Sequence, residues 1–327
     1  MVKKRVDETL MRRTLVQVAR LYFEENLSQR KIADRLGVSR SLIAQYLQRA
    51  RDLGIIQIQI IDQDNACVDL AAELKKETGV RQVMVVPNPH FSQELANRAV
   101  ASVAADFLTD HLREGDRFGL GWGRTTSLIV DLLKPPHQLG IDVLPLMGES
   151  GHWGMHSQMN QLVVRAADHL HATPHFLSLP MVLSTPKLRN SLMREVGISD
   201  VIDLWDQVSL GCIGIGVVPP VPGMVVYVGE EHLPRLTDAG AVGDMCGIYF
   251  DREGRIIENG LEDRMISASY DQLKKINCLV GVAYGDDKAV AVLGALRTGL
   301  ISTLIIDQNM AEKILARLTA TSSRKAR

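Results

Sequence analysis

From residue 68 onward, short apolar runs alternate with helical stretches, and this alternation constrains the fold more than any other feature. Runs at 82–86, 117–121, 142–147, 175–179, 208–215, 245–250, 279–283 and 302–306 read as strands. Helical spacing fills most intervals, at 68–78, 93–113, 125–133, 157–171, 187–196, 288–297 and 309–318. Strands separated by crossover helices pair in parallel, so the expectation is a doubly wound, mostly parallel, Rossmann-like α/β domain. Such sheets take ligands outside the carboxyl ends of their strands. No internal repeat is present, and the polar tail at 319–327 is expected to fray.

The N-terminal stretch is all-helical. Leu15, Val18, Ala19, Tyr22 and Phe23 make a helical stripe within 10–25. Ser28 is placed to cap a short helix at 29–36, and Ser39 to cap a third helix running to about Leu53. Neither serine is followed three residues later by an acid or Gln, so no full capping box forms. Between the two helices, Gly37 supplies the left-handed backbone of a tight turn, and Ala33 is small where helices cross. Ile32, Leu36, Val38, Ile43 and Leu47 bury the inner faces, with Tyr46 at their edge. This is the helix-turn-helix pattern, whose second helix enters the DNA major groove. Arg40, Ser41, Ala44, Gln45 and Gln48 then face outward, types suited to base edges. Ser28, Gln29, Lys31, Arg49 and Arg51 suit backbone phosphates, which set register, and Ser39 is a further DNA-binding candidate. The competing structural reading is a helical hairpin used for packing or dimerisation. After the third helix, 55–61 alternates Ile and Gln, a strand pattern that suits a short wing or a first contact with the second domain, with a hinge at 62–65. The boundary expected is therefore 1–61 and 62–327.

Charge distinguishes the two parts. Residues 1–54 carry twelve Lys and Arg against six acids, +6, which leaves −7 for the rest of a chain whose net charge is −1. A basic module on an acidic body fits a small piece that meets a polyanion. The four cysteines are scattered, which argues against a disulfide framework or zinc site. No apolar run is long enough to cross a bilayer, so a cytoplasmic protein without membrane attachment is expected.

The turn from Gly119 to Thr126 carries the most chemistry. A strand ends in Gly119, Gly121 and Gly123, around Leu120 and Trp122, and a helix starts at Arg124, Thr125 and Thr126. Glycines let backbone approach a ligand, while the new helix offers free N–H groups to an anion. The pattern lacks the Gly-Lys-Ser/Thr of a nucleotide loop and full dinucleotide spacing, so no cofactor is expected. A phosphate ester suits it, although such turns are also built for structure alone. Asp244 can accept from sugar hydroxyls and Lys288 can pair with phosphate; as isolated positions both also read as solvated turn residues. The loop 148–154 follows a strand in the same manner. His152 with His156, and His169, His171 and His175, lack companion ligand spacing, so no metal is assigned.

Several of these segments together resemble the SorC type of sugar-responsive bacterial regulators. The resemblance spans nearly the whole chain: Leu27 to Ala33 through Asp52 to Ile55, the Gly119 to Thr125 turn, Ala241 to Gly247, and Asp287-Lys288 with Ala295 to Ile301. It implies an effector domain similar in fold to sugar-phosphate isomerases and CoA transferases. It further implies a tetramer, a dimer of dimers, on partly palindromic operator DNA, and a phosphorylated sugar or polyol effector. Gly121, Gly123, Arg124, Thr125 and Thr126 match the family's phosphate-binding region, and Asp244 and Lys288 match positions near the ligand. The chain departs from the pattern at 216–222, proline-rich where a polar loop with a basic contact is expected; Arg235 is the basic side chain nearby. The rival reading is a sugar-phosphate isomerase-like enzyme with an appended DNA-binding module. No carboxylate–histidine pair stands at a helpful spacing, so no catalytic residue is assigned.

Overall fold

The computed structural model describes residues 2–25, 27–56, 65–88, 92–134, 140–149, 158–219, 232–258 and 260–325. Contacts divide the chain into Met1–Ile60 and Ile61–Arg327, each with its own apolar core.

The first unit holds α1 (Val2–Phe23), α2 (Gln29–Leu36) and α3 (Arg40–Asp52). The hydroxyl of Ser28 accepts from the N–H of Lys31 at 3.3 Å, and that of Ser39 from the N–H of Leu42 at 3.2 Å. Each cap satisfies an N–H that the first helical turn leaves over. Gly37 joins the two helices at φ 66°, ψ 33°. Ile32, Ala33, Ile43, Leu47 and Ala50 pack with Leu15, Val18 and Leu21. After α3 the chain departs from the expected strand. Gly54 takes φ 69°, and the N–H groups of Ile55 and Ile56 both return to the carbonyl of Ala50, at 2.8 and 3.1 Å. Ile56 thereby joins the helical core instead of a ladder. The remainder of that strand, 57–61, and the hinge at 62–64 lie outside the described residues.

The second unit is built on seven parallel strands: β1 (Gln82–Val86), β2 (Arg117–Leu120), β3 (Asp142–Pro145), β4 (Thr173–Pro174), β5 (Leu210–Gly214), and, further along, the strands Cys278–Ala283 and Thr303–Asp307. Between β5 and those last two come β6 (Gly216–Val217), β7 (Gly243–Met245) and β8 (Ile248–Phe250), so the latter are β9 and β10. The sheet order is β1-β10-β9-β5-β2-β3-β4, while β6-β7-β8 form a small antiparallel sheet. The helices are α4 (Asn65–Thr78), α5 (Gln93–His111), α6 (Arg124–Val130), α7 (Met159–Leu170), α8 (Pro186–Leu192), α9 (Ser199–Leu204), α10 (Leu233–Asp238), α11 (Tyr270–Lys275), α12 (Ala289–Arg297) and α13 (Gln308–Lys325).

Three departures from the expected elements have local causes. The run at 175–179 is not a strand: Asn160 accepts from the N–H of Leu177 at 3.1 Å, taking the place of a ladder partner. The run at 245–250 is a hairpin, because Cys246 (φ 51°) and Gly247 (φ 79°) turn the chain between β7 and β8. The tail is helical to Lys325, since Met310, Ala311, Ile314 and Leu315 anchor α13 on the core.

Ile43 is fully buried in the small core. Ile43→Ala should cost that unit about 2–5 kcal/mol. In urea unfolding followed by circular dichroism, the helical unit should melt earlier while the second unit keeps its midpoint. A single transition with an unshifted midpoint would contradict the two-core description.

Candidate functional site

On α3, burial of Ile43, Leu47 and Ala50 fixes which side faces out. Arg40, Ser41, Ala44, Gln45, Gln48 and Arg49 are exposed, as are Ser28, Ser39, Lys31 and Arg51; Gln29 is half-buried. The side chains are not equally free. Gln48 donates to the carboxylate of Asp52 at 3.0 Å, and the Ser39 and Ser41 hydroxyls lie 2.9 Å apart. Ser28 and Ser39 use an acceptor lone pair on their caps, which leaves hydroxyl hydrogens able to donate.

In the large unit the order in which strands are added reverses between β2 and β5, which are themselves parallel. β3 and β4 add on one side of β2; β9, β10 and β1 add beyond β5. Crossovers on either side of such a reversal leave helices on opposite faces, and a crevice opens at the carboxyl ends. Gly121 leaves β2 there, its N–H bonded to the carbonyl of Cys212 at 2.9 Å. A β-carbon on Gly121 would stand 3.0 Å from Ile213 Cγ2 and 3.1 Å from Cys246 Sγ, so the site admits little beyond hydrogen. Gly123, at φ 133°, starts α6 without a side-chain cap. Arg124 is exposed, whereas Thr125, Thr126 and Ser127 are buried and Trp122 is half-buried. The Ser127 hydroxyl accepts from Arg165 at 2.8 Å; the buried Thr126 hydroxyl has no hydrogen-bond partner among the described residues. The neighbouring α7 is different: both carboxylate oxygens of Glu149 accept from its first N–H groups, of Met159 and Asn160, each at 2.8 Å. Its N-terminus already holds an anion.

Two charged groups reach this crevice from the other side. Asp244 on β7 is buried, and its Oδ2 accepts from the N–H of Gly247 at 3.2 Å. Lys288 ends the 3-10 turn before α12; its ammonium donates to the carbonyl of Ile215 at 2.9 Å and lies 6.0 Å from the Tyr284 ring centre. Burial pushes the Asp244 carboxyl above its ordinary value, partly offset by the Gly247 N–H and the Lys288 charge. Burial pulls the Lys288 ammonium down, opposed by Asp244 and reinforced by the Arg124 charge. These mutual influences put Arg124, Asp244 and Lys288, distant in sequence, in one electrostatic neighbourhood. Tyr249 and Cys246 were not singled out by sequence reasoning. Both are buried beside Asp244, and burial foremost, then that carboxylate, pushes their pKa values up. The Cys212 thiol is pushed up to about 12, chiefly by burial, so it is no nucleophile at neutral pH.

Other candidates stay apart from the crevice. His175 pairs with Asp142 at 3.2 Å, and Arg235 is exposed on α10. His152 and His156, loop residues 150–154 and prolines 220 and 222 lie outside the described residues. Among the described residues no three His, Cys, Asp or Glu side chains are grouped to hold a metal, and no helix is long and apolar enough to cross a membrane.

Residues 62–316 match a family described as "Putative sugar-binding domain", and residues 24–57 match a winged helix-turn-helix DNA-binding family. Over 307 residues the chain is 27% identical to the sorbitol operon regulator of Klebsiella pneumoniae, covering 93% of this chain and 98% of that protein. It is 26% identical over 302 residues to the deoxyribonucleoside regulator of Bacillus subtilis, covering 92% and 96%. The crystal structure of full-length SorC from Klebsiella pneumoniae superposes with a TM-score of 0.75 at 27% identity, covering 93% of this chain and 98% of that one.

The coupling between Lys288 and Asp244 is measurable directly. A carboxyl raised above its unfolded value of 3.8 contributes stability that is fully present below 3.8 and lost as pH rises through the folded value. Lys288→Met removes the cation that opposes this rise. The Asp244 carboxyl, followed by carbon NMR, should therefore titrate higher in the variant. The decline of unfolding stability, which begins above the ordinary value of 3.8 and ends at the folded value, should extend to higher pH. An unchanged or lower titration would separate the two groups.

Proposed function

The chain belongs to the SorC-type family of sugar-binding, DNA-binding transcriptional regulators, and from this we propose that it controls a carbohydrate or polyol catabolic operon in response to a phosphorylated sugar or polyol. In this reading 1–61 is the DNA-binding domain and 62–327 the effector-binding and oligomerisation domain of a cytoplasmic tetramer. Arg40, Ser41, Ala44, Gln45 and Gln48 read base edges; Ser28, Gln29, Lys31, Ser39 and Arg49 hold phosphates. Paired modules bind two halves of a partly palindromic operator. The effector lies against Gly121, Trp122, Gly123, Arg124, Thr125 and Thr126, with Asp244 and Lys288 opposite.

The observation that carries the effector half is the mixed charge at the β2/β5 reversal. A phosphorylated sugar has two chemically different ends: an anion, suited to Arg124 and Lys288, and hydroxyl donors, suited to the Asp244 carboxylate. An inorganic anion would not reward the buried carboxylate, and a neutral sugar would not reward the two cations. Regulation follows if the ligand binds operator-competent and operator-incompetent assemblies with different affinity. No catalytic step is part of this reading. The names of the sorbitol and deoxyribonucleoside regulators favour carbohydrate-derived ligands.

Thermal shift with sorbitol 6-phosphate, fructose 6-phosphate and deoxyribose 5-phosphate, each beside its unphosphorylated counterpart and with and without operator DNA, tests the proposal. A phosphorylated compound should raise the melting temperature where its counterpart does not, in keeping with selective binding to the folded state. Silence across a broad panel would end the phosphorylated-effector reading, and turnover of any compound would favour an isomerase. Thr125→Ala should weaken the effector response while leaving DNA binding intact. Arg40→Ala and Gln45→Ala should each cost about 1–3 kcal/mol of discrimination between operator and altered sequence. Effector binding should be untouched by both. Unchanged specificity would remove that side chain from base reading.

A further inference from the structure

Ile215, the one residue between β5 and β6, and Gly216, the first residue of β6, touch both charged groups of the crevice. Lys288 donates to the carbonyl of Ile215 at 2.9 Å. Gly216 pairs with Asp244 across the β6–β7 ladder, next to the Asp244–Tyr249 pair. A β-carbon on Gly216 would stand 2.0 Å from Asp244 Oδ1 and 3.0 Å from its Cγ; the next atom, the Asp244 carbonyl oxygen, is at an ordinary 3.6 Å. Gly216 is not among the glycines with positive φ, so its backbone accepts an L side chain. The whole conflict is therefore with the carboxylate.

Two other glycines show how different this is. A β-carbon on Gly243 would meet the Gly216 carbonyl at 2.6 Å and the Ala291 and Phe250 side chains at 2.9 Å, a requirement of packing. One on Gly254 would meet Arg297 backbone at 2.4 Å, at a positive φ besides. Gly216 alone of the three is reserved for a functional group.

We propose that Gly216 is a positioning residue for effector recognition: by lacking a side chain it lets the Asp244 carboxylate lie across β6, with Oδ2 spent on the Gly247 N–H and Oδ1 left for a hydroxyl of a sugar or polyol ligand. This rests on the effector reading above and adds which residue sets the hydroxyl end of the ligand apart from its phosphate end. A methyl group at 216 turns the carboxylate away and leaves Arg124 and Lys288 in place.

The test is a double-mutant cycle of Gly216→Ala and Asp244→Ala, with affinity for sorbitol 6-phosphate, fructose 6-phosphate and deoxyribose 5-phosphate measured by titration calorimetry on the full chain. Gly216→Ala is expected to weaken the binding compound tenfold or more, with effector-free operator binding unchanged. In the Asp244→Ala background the same substitution should have no further effect. Equal weakening in both backgrounds, or none in either, overturns the proposal. If Gly216→Ala does not fold, recovery of the fold by adding Asp244→Ala supports a conflict with the carboxylate, and failure to recover overturns it. Wild-type protein that binds neither these three compounds nor any other member of a broad panel of phosphorylated sugars and polyols removes the phosphorylated-effector reading and this inference with it. Wild-type binding that Gly216→Ala leaves unchanged removes this inference alone.

Discussion

A parallel sheet that grows outward from its middle in both directions leaves a gap at its centre. Here β2 leads to β3 and β4 on one side, and the chain then returns to lay β5 on the other. The two crossovers part at that seam, where the chain segments leaving β2 and β5 lie side by side. Much of the large unit's chemistry depends on this one topological event. Gly121 can leave β2 only because it is held to the Cys212 carbonyl on β5 and carries no side chain to meet Ile213 and Cys246. The small antiparallel sheet branches directly from β5 through Ile215 and Gly216, which brings Asp244 to the same seam.

Desolvating charge is costly, and the cost falls when opposite charges and hydrogen-bond donors compensate it. Asp244 and Lys288 influence each other's titration, yet each makes its direct hydrogen bond to backbone: Asp244 with the Gly247 N–H, Lys288 with the Ile215 carbonyl. Neither charge is quenched by a close ion pair with the other. A direct pair would have lowered the burial cost further and also used up both groups. Holding them apart on backbone partners keeps a carboxylate and an ammonium available within one crevice. Glu149 illustrates the opposite solution one strand away, where a carboxylate occupies the N-terminus of α7 and closes that site to other anions.

What could be read from the sequence followed the range of the interactions involved. The caps of α2 and α3 lie three residues from the N–H groups they satisfy, so Ser28, Gly37 and Ser39 were legible as local chemistry. The strand at 82–86 was equally legible, being an apolar run bounded by turn residues. Elements decided by a distant partner were not. Asn160 takes the N–H of Leu177, which no periodicity at 175–179 could announce. The isoleucines after α3 alternate as a strand would, but Gly54 and the Ala50 carbonyl draw the first two back into the helical core. The hairpin at 245–250 did carry a local signal, Gly247, which the strong apolar run outweighed. At the crevice, Arg124 was legible as part of an anion-friendly turn, Asp244 and Lys288 read equally well as solvated turn residues, and only folding gives the three a common neighbourhood. Gly216 was wholly illegible, because its reason is the carboxylate of a residue on another strand.

The partition of charge limits how such a regulator can be switched. Affinity for DNA is dominated by phosphate neutralisation and falls steeply with salt. With +6 confined to the first 54 residues and −7 on the rest, the large unit offers DNA no net attraction. The phosphate of the proposed effector would add further negative charge, but beside Arg124 and Lys288, so most of its field would be met locally. Long-range repulsion between bound ligand and operator is therefore a weak lever, the more so beyond the Debye length of about 8 Å at physiological salt. Control then has to come from differential affinity of the effector for alternative conformations or assemblies, and a coupling of about 1–3 kcal/mol suffices for a 5- to 150-fold change in operator affinity. The groups best placed to supply it are those whose backbone partners a ligand would compete for. Lys288 is such a group, since an ammonium drawn toward a ligand phosphate would give up its hydrogen bond to the Ile215 carbonyl, at the start of the small sheet.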